Sequence, residues 1–174
     1  MTGIDGAPAI ALSDYVNDQF DQALSWESRD RSVDAARSAG LKVVLEGIQR
    51  VDDAESAVAH GVDAIELSKP RRSTDRPHAG SVQMVAGVRD AVGSGIALIC
   101  DGGIRRGSDV VKAIALGADA VMVGRPYLYG LGAGGERGVS RVLDHIVWGL
   151  RQRMALCGRA TVGELTADLV TQQS

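Results

Sequence analysis

The sequence has only two cysteines, Cys100 and Cys157, and they are not in C-x-x-C spacing. With no extracellular signature around them, both are expected to be reduced and structural. Positive charge is not in excess either. Nineteen Lys and Arg stand against 22 Asp and Glu, a formal charge of -3, so no overall basic field is available to hold nucleic acid. Long apolar runs are missing too. The longest, such as the one ending at Cys100, are strand-sized, well short of the roughly 20 residues that cross a membrane as a helix. The first residues, Met-Thr-Gly-Ile-Asp-Gly, contain no basic stretch followed by an apolar one. No export signal is visible, and the cytoplasm is the expected compartment.

What is present describes an ordinary folded protein: 45% hydrophobic, 24% charged and 3% aromatic residues, with 22 Gly against 4 Pro. At 174 residues one domain is the default. A closed (β/α)₈ barrel, at about 250 residues, would need more chain. From residue 41 onward apolar strand-length runs alternate with helical patterns, the sign of βα units and a parallel sheet. Strands are expected over Leu41 to Ile48, Val62 to Ser68, Ile96 to Cys100 and Ala120 to Val123. Helices are expected after Val51, over about Ser81 to Val92, over about Ser108 to Leu116, and from about Val139 to Leu156 beyond a glycine-rich stretch, with a short one after Thr161. Residues 1–40 supply a loop and one helix, about Glu27 to Ser38, and 41–174 form one structural unit.

Two segments read as copies. Asp53-x₇-Gly61-x-Asp63-Ala64-Ile65 aligns with Asp109-x₇-Gly117-x-Asp119-Ala120-Val121, 56 residues further on. That spacing is two βα units and suggests duplication of a quarter barrel. Four strands are then half of an eight-stranded barrel.

The most informative motif is Asp101-Gly102-Gly103-Ile104-Arg105-Arg106-Gly107, between a buried strand and a helix, with Gly124-Arg125 at the end of the next strand. Glycines at adjacent strand ends, helix N-termini with free N–H groups, and arginines make a phosphate site. The plainer alternative is a pair of tight turns with solvated arginines. A second glycine motif, Gly130-x-Gly132-x-x-Gly135, matches the dinucleotide fingerprint only formally. It lacks both the preceding strand and the acidic residue about 20 positions later.

The run DGGIRRGSDVVKAIALGADAVMVGRPYLYGLGAGGERGV, with FDQALSW upstream and LEGIQRVDDAESAVAHGVDAIELS between, closely resembles the C-terminal half of the FMN-dependent α-hydroxy-acid dehydrogenase and oxidase family, which includes lactate and glycolate oxidases. The resemblance extends over roughly Ser13 to Leu169. It implies a TIM barrel with FMN at its C-terminal face. The implied phosphate ligands are Asp101, Gly103, Arg105, Gly124 and Arg125, with Gly102 counted among the cofactor-binding residues, and Ser68 would lie close to the flavin.

The departures from the family pattern bear on chemistry. Where the family has a lysine near flavin N1 and C2=O, this chain has Glu46, whose charge would oppose that of an anionic reduced ring. Lys42 cannot substitute, because four strand residues span about 13 Å. Where the family has S-N-H-G-G-R, with its general-base histidine, this chain reads Ser68-Lys69-Pro70-Arg71-Arg72-Ser73. Proline cannot take a proton. The catalytic residues are therefore unknown, and His60, His78 and His145 are the only histidines that could replace the base. His60 closes a helix and His145 lies on a polar helix face, both structural readings, while His78 is in the right loop but eight residues late. Lys69, Arg71, Arg72 and Arg76 could capture an anionic small-molecule substrate or a partner's carboxylates, or form a solvated loop.

Set against the family, the chain starts within the fourth βα loop, and four parallel strands alone would leave two open edges and a bare inner face. The expected completion is a complementary N-terminal half-barrel chain or self-association into a homo-oligomer. Alone, the chain is expected not to oxidise ordinary 2-hydroxy acids. The alternative is a non-catalytic relative that binds flavin, another phosphate-bearing ligand or only a protein partner.

Overall fold

A computed structural model of the protein describes residues 25–68 and 80–171. Lys69, Pro70, Arg71, Arg72, Ser73, Arg76 and His78 lie outside the described residues. The elements run α1 (Trp26–Ser38), β1 (Val44–Ile48), α2 (Val51–Ala59), β2 (Ala64–Leu67), α3 (Ser81–Val92), β3 (Ala97–Asp101), α4 (Gly107–Ala115), β4 (Ala120–Met122) and α5 (Arg125–Leu156), followed by 3₁₀ turns at Val162–Glu164 and Ala167–Leu169. All strand pairs are parallel and the order is β1-β2-β3-β4, with a helix between successive strands.

Burial alternates along β3, while β2, between two neighbours, is buried at every position. Ile65, Leu67, Leu98 and Cys100 are fully buried and pack with Ala54, Ala57, Val85 and Val88 of the covering helices. The opposite face holds the register partners Glu46, Glu66 and Ile99, with Asp101 two residues beyond Ile99. A bulge at Gly47 turns Ile48 to the helix side, level with Leu67. Val44 of β1 and Met122 of β4, on the two outer strands, are 48% and 47% exposed.

Local chemistry explains the helix bounds. Ser25 accepts a hydrogen bond from the Ser28 N–H at the start of α1. Asp52 and Asp53 stand in the first turn of α2, where negative charge meets the positive end of the helix dipole. Gly61 and Gly117 end the two matching helix-to-strand turns at φ of +73° and +110°, a region that side chains with a Cβ avoid.

One sequence expectation fails. The glycine-rich stretch after β4 is not a loop before a helix beginning near Val139; it is helical from Arg125, beside Pro126 in the first turn. The chain turns a corner at Gly134 and Gly135, the latter at φ +58°. The two legs then meet at Gly130 and Gly138, where a Cβ on Gly130 would lie 2.6 Å from the Gly138 carbonyl oxygen. Two glycines of the false dinucleotide fingerprint, Gly130 and Gly135, thus serve a corner between helices.

Candidate functional site

The C-terminal ends of β3 and β4 open into a cleft of about 420 Å³. Asp101, Gly102, Gly103 and Arg105 line it from the loop after β3, and Gly124 and Arg125 from the turn into α5. Gly102 and Gly103 both have positive φ, 93° and 83°, and a Cβ at Gly103 or Gly124 would meet nothing within 4 Å. The backbone edge is therefore open to a ligand, with two exposed guanidiniums beside it. Ser68 is buried just past β2 and does not line this cleft.

Asp109 modifies the expected picture. Its carboxylate accepts the N–H groups of both Arg105 and Arg106 at 3.0 Å, capping α4 from inside its first turn. Those two N–H groups are consequently not free for an anion, and the guanidiniums and glycine edges carry the positive potential. Arg106 is exposed and absent from the cleft wall. Arg105 also lines the groove between the legs of α5, together with Arg141 and His145.

The other candidates are elsewhere. His60 is at the opposite end of the sheet, where its Nδ1 lies 2.5 Å from Asp30 and its ring stacks on Trp26 at 4.8 Å. His145 is exposed on α5, stacked with Trp148. Lys42 donates to Asp63 at 2.7 Å, ahead of the strands, so its charge is spent far from the cleft. Cys100 is buried on the helix side of β3, and burial beside Asp101 pushes its thiol up to about 11. At neutral pH it is a packed thiol.

Sequence reading gives no role to Glu66, although a charged residue inside the four-residue apolar strand Ala64–Leu67 is a visible sign. Glu66 is 8% exposed on the inner face, level with Glu46. Burial first, and then the charges of Glu46 and Asp101, hold its carboxyl above the usual range.

The FMN-dependent dehydrogenase family matches residues 4–172. The chain is 46% identical over 132 residues to the pre-mycofactocin synthase of Mycobacterium tuberculosis (strain CDC 1551 / Oshkosh), covering 75% of this chain and 33% of that protein. It is 41% identical over 160 residues to 2-hydroxyacid oxidase 1 of Mus musculus, covering 91% of this chain and 42% of that protein. Among solved structures, the monotopic membrane protein (S)-mandelate dehydrogenase superposes with a TM-score of 0.82 at 30% identity, over 92% of this chain and 42% of that one. The chain spans less than half the length of each of these relatives. Among the described residues, no helix is long and apolar enough to cross a membrane.

Proposed function

Because this chain belongs to the FMN-dependent dehydrogenase family, we propose that it is the phosphate-anchoring half of an FMN-dependent oxidoreductase barrel, completed by a second half barrel. The observation that carries the reading is the cleft after β3 and β4, where an unobstructed glycine edge meets Arg105 and Arg125. This donor set suits a phosphate dianion: two guanidiniums can form charge-assisted bonds to it, and glycine lets the backbone approach. Asp101, lining the same cleft, is an acceptor for hydroxyl groups of a ribityl chain. When bound, FMN supplies the electron acceptor for oxidation of a C–H bond.

Hydroxy-acid oxidation by this chain alone is absent in this reading. Pro70 cannot act as a base, His60 is held by Asp30 at the opposite end of the sheet, and His145 lines the neighbouring groove between the legs of α5 rather than the cleft itself. The second half barrel supplies the base and the substrate contacts.

A second reading, flavin binding without oxidation of hydroxy acids, is favoured by Glu46 standing level with Glu66 on the inner face. Two carboxylates there oppose a developing anion. The two readings separate on flavin colour and its bleaching. The protein is purified with its completing half and titrated anaerobically with L-lactate, glycolate or mandelate. Bleaching supports the oxidoreductase; bound flavin that stays oxidised with all three supports the second reading. A complex that retains no flavin removes both.

A further inference from the structure

The inner face of the sheet is acidic. Parallel register puts Glu46 of β1 opposite Glu66 of β2, and Glu66 opposite Ile99, two residues before Asp101 on β3. The other described strand residues on that face are apolar. None of the three carboxylates belongs to a salt bridge among the described residues, and Glu66 is nine-tenths buried even with this face open. Among the described residues, the outer strands, β1 and β4, each pair on one side only.

Two occupants satisfy the strand geometry. A second copy related by a two-fold axis along the barrel would place its β1 beside β4, and its β4 beside β1, closing eight parallel strands. It would also put a second Glu46, Glu66 and Asp101 into the same packed, water-poor interior, where like charges repel strongly. A half barrel of different sequence escapes this penalty if its inner face carries basic side chains.

We infer that the acidic inner face formed by Glu46, Glu66 and Asp101, with the open β1 and β4 edges, docks a four-stranded half barrel with a basic inner face and rejects a second copy of this chain. The inference rests on the proposed completion by a second half barrel and specifies its charge. Whether that half is joined to this one or encoded apart, the acidic face makes the same demand of it.

The test uses the chain itself as the probe. A variant carrying Glu46→Lys and Glu66→Lys has the same edges and a basic inner face. Sedimentation of wild type, variant and their equimolar mixture at neutral pH is expected to show a mixed dimer at least about tenfold tighter than either self-association. The single variant Glu46→Lys, at an exposed position, gives the same direction should the double variant fail to fold. Glu46→Gln with Glu66→Gln, which removes charge only, is expected to strengthen self-association. Wild type that dimerises as tightly as the mixture overturns the inference, and so does a mixture that stays monomeric. None of these measurements reads flavin, so a failed phosphate site and a failed docking rule are seen separately.

Discussion

Arg89 of α3 and Asp119, just ahead of β4, are joined by a 2.6 Å ion pair, and the same Asp119 oxygen accepts the Leu98 N–H at 2.7 Å. Arg89 also donates to the carbonyls of Gly117, Gly93 and Ile96. The arrangement is echoed in the first βα pair. There Arg37 donates to the Gly61 carbonyl, and Asp63 accepts the Val43 N–H and the Lys42 ammonium. The internal repeat in the sequence is thus a repeated clamp, which ties each helix-to-strand turn to the start of the preceding strand. In the second copy one arginine does the work that Arg37 and Lys42 divide in the first.

Arg89→Ala is expected to cost about 2–4 kcal/mol in urea unfolding, because three carbonyls and a carboxylate lose a largely buried donor. Arg37→Ala, which loses one exposed hydrogen bond, is expected to cost less than about 1 kcal/mol. Equal losses would show that the two clamps are equivalent.

Gly138→Ala is expected to destabilise the protein by about 2 kcal/mol or more, since the added Cβ meets the backbone of Gly130. Gly132 lies on the same corner with nothing within 4 Å. Gly132→Ala is expected to stabilise by about 0.5–1 kcal/mol through helix propensity. Thermal melts of the two variants should move in opposite directions.

Glu66→Gln is expected to raise the melting temperature at pH 7. The folded-state pKa of Glu66 lies above its ordinary 4.5, so ionisation disfavours the folded state. The protonated group carries no such penalty, and the penalty grows as pH rises from the ordinary value through the folded one. The difference between variant and wild type should therefore vanish below about pH 4.5 and be largest above the raised pKa. A difference independent of pH would assign the effect to packing.

Arg105→Ala and Arg125→Ala are each expected to weaken FMN binding about 10- to 150-fold, the loss of one charge-assisted hydrogen bond of roughly 1.5–3 kcal/mol. Arg106→Ala, exposed and outside the cleft wall, should change it little. Fluorescence titration of FMN into the completed barrel measures all three. Unchanged affinity in the Arg105/Arg125 double variant would displace the phosphate site.

In the native protein at pH 8 one thiol is expected to react promptly with a disulfide reagent, and it should be the exposed Cys157. Cys100 is buried, and at a pKa of about 11 roughly one molecule in a thousand holds it as thiolate. Reaction of both thiols at one rate would mean that β3 opens readily.

Periodicity along the chain located the four strands and the helices between them. The expected helix over about Ser81 to Val92 matches α3, and all four strands are found within two or three residues of the expected bounds. The glycines and arginines after β3 and β4 were legible for the same reason, since successive strands in a parallel sheet bring their C-terminal loops to one edge. Tertiary structure alone decided that Glu66 stands beside Glu46, because register between strands some 20 residues apart is set by packing. It decided that Asp109 takes the N–H groups of Arg105 and Arg106, and that Lys42 is held by Asp63. It also turned a glycine-rich stretch into a helical corner. Glycine in sequence marks only freedom from a Cβ, and whether that freedom serves a loop, a ligand or another helix depends on what approaches it: at Gly130, the backbone of Gly138.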